Sequence, residues 1–430
     1  MHKTYLKDIL RHSLEGISRI TSGRAFIAHI DGLRFLAIMS VVYGHICSAF
    51  LVSIAVPHGL LGMLDAGPKN IFFANLGSCG KYGVRLFFLL SGFLLSSPFA
   101  KARLAPGTQA PDLGAYFLRR IARIEPPFII SLLLIYLLVF FADGNFLPGN
   151  LLASAFYSHL LVFQKPSIIN DVFWSLEVEV QFYILAPLLA TVFAFKGAWV
   201  RRGVILAVIL LWGYLLPFLQ ASTPQSLLWY LHYFAGGFLL ADLYVCGLAE
   251  VCSGRKGYVW DIAGLAAFVL LLLAILSGRS DLYCPAAMFL FALAVFKGPI
   301  LNKLFSFQPL VVIGGMCYTI YLYHKPMIAA VIAGLQAVGI NLVVLPFSLS
   351  WFFHAFLILS GVLAACAILF VCFERPFMRN RWYRDIRTML PSPKQYLLWV
   401  PLSYLSLALI GGFAWPLRVV RQLKILLLPF

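Results

Sequence analysis

The chain has 430 residues, 62% of them hydrophobic and only 11% charged, with a formal net charge of +17. That composition excludes an ordinary soluble domain, and its apolar runs are long enough to cross about 30 Å of hydrocarbon. The positive charge does not read as a nucleic-acid footprint, because Lys and Arg cluster between the apolar runs, where they act as orientation signals.

Residues 1–30 are polar and basic and lack the apolar core of a cleavable leader. They are expected to lie at the membrane surface, with the first span acting as an uncleaved insertion signal. The rest predicts an all-α transmembrane helix bundle with about ten core spans. These fall near 33–56, 84–100, 126–142, 173–195, 203–220, 226–246, 259–277, 282–297, 313–338 and 350–373. With the N-terminus placed inside, the inner segments hold 24 of the 33 Lys and Arg and the outer segments five. This positive-inside bias predicts that both ends of the core are cytoplasmic.

Residues 151–163 are apolar but too short to span, and read as a re-entrant or interfacial piece. Residues 396–415 approach span length. Crossing would put Arg418, Arg421 and Lys424 outside, so the segment is expected to bend back. The domain organisation is thus a surface segment 1–30, a membrane domain 31–377 and a basic, partly hydrophobic tail 378–430. The eight cysteines show no zinc-ligand spacing and read as core residues. Cys79 and Cys284 are the candidate disulfide pair, though free thiols are the favoured reading. No metal site is expected.

Five stretches could carry chemistry. In Asp31–Cys47, Arg34 and His45 are eleven residues apart. On a helix they point the same way to within roughly 20° and lie about 16 Å apart in depth. Ionisable groups in membranes are functional candidates, and a neutral imidazole can take a proton from a hydroxyl or carry an acyl group. The bland alternative is a histidine hydrogen-bonded within the bundle. In Lys81–Pro98, Ser91-Gly92 reads as a packing contact, or as a place where a thin ligand passes close to the backbone. In Arg120-Ile121-Ala122-Arg123, two guanidiniums share a side of a helical turn and suit phosphate oxygens. A topology signal explains them as well. In Asp171–Pro187, Glu177 and Glu179 are two residues apart and cannot share a helix face. Either acid is favourable near a helix N-terminus on dipole grounds alone. In Gly314–Pro326, glycines allow close helix approach, and Tyr321, His324 and Lys325 are polar residues deep in a span.

Together these stretches resemble the acyltransferase-3 family of integral membrane acyltransferases. The motifs occur in order: DGLR then GH, GVRLFFLLSGFLL, RRIARIEPP, WSLEVEVQFYILAPLL, GGMCYTIYLYHKP and FERPF. The resemblance implies transfer of an acetyl group from cytoplasmic acetyl-CoA to a hydroxyl of an extracytoplasmic glycan, such as lipopolysaccharide O-antigen or exopolysaccharide. It implies a bacterial inner membrane, no metal and no nucleic acid. His45 becomes the base or acyl carrier, assisted by Glu179 and Arg34. Arg34, Arg120 and Arg123 become the ligands of the CoA phosphates, and Trp174, Ser175, Tyr321 and His324 the substrate-binding residues. Phe128 stands where the family often has a tyrosine, and Glu125 places an acid beside the arginine clamp. Some relatives carry a fused esterase-like domain. Little chain follows Pro376, so a separate extracytoplasmic acyl-handling protein is the expected substitute if one is needed. A glycan or lipid-linked sugar transporter is the competing reading, because midplane charges and broken helices also mark transport sites.

Overall fold

The structure, a computed structural model, describes residues 16–20, 26–64, 79–144, 146–222, 226–277, 283–340 and 348–378. The tail segment 396–415 and most of residues 1–30 lie outside them. Among the described residues there are helices and no strands. They are α1 (Ala28–Leu64), α2 (Cys79–Leu104), α3 (Leu113–Asp143), α4 (Pro148–Ala155), α5 (His159–Phe163), α6 (Phe173–Leu189) and α7 (Ala198–Ser222). There follow α8 (Leu227–Val245), α9 (Gly254–Ser277), α10 (Cys284–Lys297), α11 (Pro299–Phe305), α12 (Gln308–Gly315), α13 (Cys317–Ala337) and α14 (Leu349–Leu369). A π-helical turn, Phe370–Glu374, and a 3₁₀ turn, Arg375–Met378, close the described chain.

Every predicted span falls on helix. Among the described residues seven helices are long and apolar enough to cross a membrane, and α10 with α11 makes an eighth if that pair, bent by 93°, is one span. The other two predicted spans are α8 and α13, of 19 and 21 residues. Their hydropathy is diluted by buried polar groups: His232 and Asp242 on α8, Thr319 and His324 on α13. Helices that bury polar groups belong inside a bundle, and those that expose apolar side chains belong against lipid. Leu210 of α7, Leu270 of α9 and Phe356 of α14 are exposed accordingly.

Glycines set the spacing. Lipid tails are as apolar as the helices, so close backbone approach has to supply the packing energy. A Cβ on Gly92 of α2 would overlap the Phe234 carbonyl of α8, and one on Gly237 would overlap the Leu89 carbonyl in return. Gly83 meets the Ala37 carbonyl of α1, and Gly314 of α12 meets the Asp31 carbonyl. Gly92 therefore serves helix packing, not the passage of a ligand.

The short segment 151–163 is two helices, α4 and α5, too brief to span. His159 pins them, with Nε2 2.7 Å from Asn150 Oδ1 and Nδ1 3.0 Å from the Lys165 carbonyl. No disulfide joins Cys79 to Cys284. The Cys79 thiol donates to the Ser40 carbonyl at 3.4 Å, and Cys284 is buried.

Gly92→Ala tests the packing account. Overpacking a tight contact costs about 1–3 kcal/mol, so the detergent-purified variant should melt several degrees below the parent. Gly213→Ala, where no atom lies within 4 Å of the added carbon, should melt with it. Equal melting of both variants would show that α2 and α8 are not in backbone contact.

Candidate active site

The charged residues converge on one cavity between α1, α2, α3, α6, α12 and α13. It holds about 980 Å³ of atom-free space, counting its open mouth. Arg34, Arg120, Arg123, Ser175, Glu179 and Tyr321 all line it. Residues from four sequence stretches thus meet as the motif pattern predicts. His45, Trp174 and His324 are not among the lining residues.

Arg34 arrives with a partner. Its guanidinium bonds Asp31 Oδ1 at 2.8 Å, one helical turn back, and Arg19 reaches the same oxygen at 3.1 Å. Gly315 makes room for Arg19, whose side chain passes 3.4 Å from where a Cβ would sit. Arg19 was not picked out from sequence, because nothing in its local pattern shows that it folds back onto Asp31.

Arg120 and Arg123 sit on α3. Asp112 caps its start, accepting from the Gly114 and Ala115 amides at 3.2 and 3.1 Å. Arg120 lies over the rings of Tyr116 and Tyr183. Neither Arg120 nor Arg123 has a carboxylate within 4 Å among the described residues. Glu125, expected to weaken the clamp, does not line the cavity and faces Tyr157 instead. Phe128, where a tyrosine hydroxyl was missed, stacks on the Tyr157 ring at 4.7 Å.

The two acids of α6 separate as their spacing requires. Glu179 turns into the cavity and accepts from Ser91 Oγ at 2.5 Å. Glu177 points away, is 1% exposed, and accepts from the Leu160 amide at 2.9 Å at the start of α5. It fastens the short helices to the span. Ser91, read only as a packing residue, gains a chemical setting that its sequence neighbours do not show.

Glu374 is the clearest omission from the sequence reading. It is the second residue of the FERPF motif, lines the cavity, and accepts from the Thr319 amide at 3.0 Å and the Thr319 hydroxyl at 2.5 Å. The break at Met316 between α12 and α13 leaves that amide without an intrahelical partner, and the carboxylate fills the vacancy.

At the other end of the cavity Ser175 and Tyr321 hold each other. Ser175 Oγ donates to Tyr321 Oη at 3.2 Å, and Tyr321 donates to the Val172 carbonyl at 2.5 Å. His324 is one turn further along α13 and fully buried. Its ring lies 5.0 Å, centroid to centroid, from that of His45. His45 is half-buried and within electrostatic reach of Lys325 and Asp171. Those two residues form an ion pair with Nζ 2.7 Å from each carboxylate oxygen, largely exposed to solvent. Trp174 packs against Tyr230 and Phe88 at 5.5 and 6.4 Å. Arg34 and His45 share α1, as expected, but the cavity lining extends from the arginines to Ser175 and Tyr321 without including either imidazole.

Residues 27–371 match the model of a family described as an acyltransferase domain, acyltransferase-3. The chain belongs to the acyltransferase-3 family. It is similar to the O-acetyltransferase OatA of Staphylococcus aureus, 25% identical over 336 residues, or 71% of this chain and 51% of that protein. The peptidoglycan O-acetyltransferase OatA of Listeria monocytogenes is 24% identical over 412 residues, 87% of this chain and 59% of that protein. The putative peptidoglycan O-acetyltransferase YrhL of Bacillus subtilis is 25% identical over 350 residues, 72% and 49%. The chain therefore spans about half the length of these relatives. No solved structure matches it. Within the acyltransferase-3 frame, the arginine-lined cavity and the histidine pair are where donor and base chemistry can be sought.

The division of labour on α6 is testable by paired substitution. Glu179→Gln should lower acyl transfer by about 100-fold or more, the scale of a lost charged contact of a few kcal/mol, without changing the melting temperature. Glu177→Ala should do the reverse, costing about 1–3 kcal/mol of stability while the folded fraction stays active. Activities and melting curves on the same purified samples decide between the two roles.

Proposed function

We propose that the protein is a membrane O-acyltransferase that moves an acetyl group from acetyl-CoA on the cytoplasmic side to a hydroxyl of an extracytoplasmic glycan. The observation that carries this reading is the pair of guanidiniums, Arg120 and Arg123, lining one cavity with no carboxylate within 4 Å among the described residues. Cations without a protein carboxylate in such a place need an anion, and bidentate phosphate is the natural one.

In this reading the arginine end opens to the cytoplasm of a bacterial cell and receives the CoA phosphates. Arg34 contributes less net charge than the other two, because Asp31 already answers it. The pantetheine arm follows the apolar wall of α2, past Phe87 and Ser91, and presents its thioester at the Ser175–Tyr321 end. The acceptor comes from the opposite face, beside the Asp171–Lys325 ion pair.

His45 then takes the proton of the acceptor hydroxyl. The freed oxygen pair attacks the thioester carbonyl, the C–O bond forms, and the C–S bond breaks. The departing thiolate recovers the proton from His45 and leaves as CoA, so the imidazole ends neutral. Glu179 and Ser91, on the cavity wall, keep the donor's path polar and oriented. The histidine is general base and then general acid, a role worth about 10²–10⁴-fold.

The names of two relatives point to peptidoglycan as acceptor. O-antigen and exopolysaccharide offer the same hydroxyl chemistry. Mass spectrometry of each surface glycan, from cells with and without the protein, identifies the acceptor. A transporter reading gains nothing specific from the site: a pair of phosphate-spaced arginines serves a nucleotide-bearing donor better than a sugar.

Arg120→Ala and Arg123→Ala should each raise KM for acetyl-CoA about tenfold or more, as expected for a charged hydrogen bond worth about 1.5–3 kcal/mol. CoA should raise the melting temperature of the parent protein and of His45→Ala, but not of the double arginine variant. Normal acetylated product from a well-folded His45→Ala protein would remove the mechanism.

A further inference from the structure

His324 is buried to the last percent, and one of its ring nitrogens is unused. Nδ1 lies 3.0 Å from the Ile320 carbonyl and 2.9 Å from the Tyr321 carbonyl, one turn back on its own helix. A carbonyl oxygen only accepts, so Nδ1 carries the hydrogen. The neutral ring then has its lone pair on Nε2. Among the described residues no hydrogen-bond partner meets that atom. Leaving a buried acceptor unmet is costly, which makes such an atom a pointer to function.

The ring beside it is His45, 5.0 Å away and tilted by 41°. At that separation a turn of the half-buried His45 ring brings nitrogens of the two rings within hydrogen-bonding range. Such contacts are often long in an unliganded site and tighten with substrate. The charges that reach His45, Lys325 and Asp171, are already paired with each other at 2.7 Å. Asp171, the carboxylate of the two, is thus held by Lys325.

We propose that His324 is the positioning residue for His45: its Nε2 lone pair accepts the N–H of the His45 ring. This rests on the reading of His45 as the base. The contact fixes which His45 nitrogen carries the hydrogen, leaving the other as a lone pair aimed at the acceptor hydroxyl. When His45 takes the hydroxyl proton and both its nitrogens bear hydrogens, the same acceptor steadies the cation. The proton stays on His45 throughout and passes from there to the departing thiolate. A neutral imidazole thus does the work that a carboxylate does in a serine-hydrolase triad. It does so at lower desolvation cost in lipid, because an uncharged ring is cheaper to bury than an anion. Tyr321 couples the pair to the donor cavity: it lines that cavity, and its carbonyl is one of the two that orient His324.

The test exploits the reach of amide side chains. In His324→Gln the terminal amide falls near the position of Nε2 and can offer an oxygen there. In His324→Asn it falls near Nδ1 and cannot. With full-length protein in detergent, acetyl-CoA and the acceptor glycan identified by mass spectrometry, His324→Phe and His324→Asn should lose at least 100-fold in kcat. KM for acetyl-CoA should stay within about threefold of the parent. His324→Gln should recover to within about tenfold of the parent. If His324→Phe does not fold, the Asn and Gln variants carry the comparison alone.

Three results overturn the proposal. The first is a folded Phe or Asn variant as active as the parent. The second is a Gln variant as inactive as Asn, which would mean that His324 itself must exchange protons. The third is a rise in KM at constant kcat, which would make His324 a substrate-binding residue, as the sequence reading had it. His45→Ala, measured alongside, separates the two levels. An active His45→Ala protein removes the base reading itself. An inactive one with indifferent His324 variants removes only the positioning role.

Discussion

A positive charge held inside a lipid-embedded bundle has to be answered, and the protein answers its four arginines unequally. Asp31 is shared by Arg19 and Arg34 at 3.1 and 2.8 Å. Arg120 lies over two aromatic faces, and both it and Arg123 line the open cavity. Two acids, Glu179 and Glu374, line the same cavity and accept from Ser91 and Thr319. The cavity is thus held with an excess of positive charge at one end. Transferring that end into hydrocarbon without an anion would cost several kcal/mol. Water and an anionic ligand are the remaining ways to offset it.

The cavity has walls because the helices around it cannot drift apart. Glycines on α2, α8 and α12 put backbones in contact at Gly92, Gly237 and Gly314. Those contacts hold α2 between α1 and α8, and α12 against the start of α1. The break at Met316 then turns α13 inward, carrying Tyr321 and His324 toward α1 and α6. A similar tie operates between α7 and α8. There, buried Asp242 accepts from Arg201 and, at 2.6 Å, from Arg202, so these two basic residues are spent on structure.

The site is graded along its length. Charged groups gather at one end, single hydroxyls in the middle at Ser91, Ser175 and Tyr321, and uncharged imidazoles past the far end. An exposed ion pair, Asp171–Lys325, lies beyond them. This order suits a donor whose charge and reactivity sit at opposite ends.

Much was legible in the sequence because lipid imposes simple rules. Backbone groups must bond within a helix, so apolar length alone located the spans, and each of them is helical. Spacing on a helix placed Glu177 and Glu179 on different faces, and the structure gives them different partners. Ordered motifs carried the family, while the packed structure brings Arg34, Arg120, Arg123, Ser175, Glu179 and Tyr321 to one cavity. Contacts between segments distant in the chain were not legible, since no local pattern encodes which faces meet. The tertiary structure alone decided that Arg19 shares Asp31, that Glu374 caps α13, that Trp174 packs against Tyr230 and Phe88, and that Cys79 and Cys284 stay apart. It alone brought His324 from α13 to His45 on α1. Helical periodicity fixes where a side chain points around its own axis. Only the packing of one axis against another decides what it meets there.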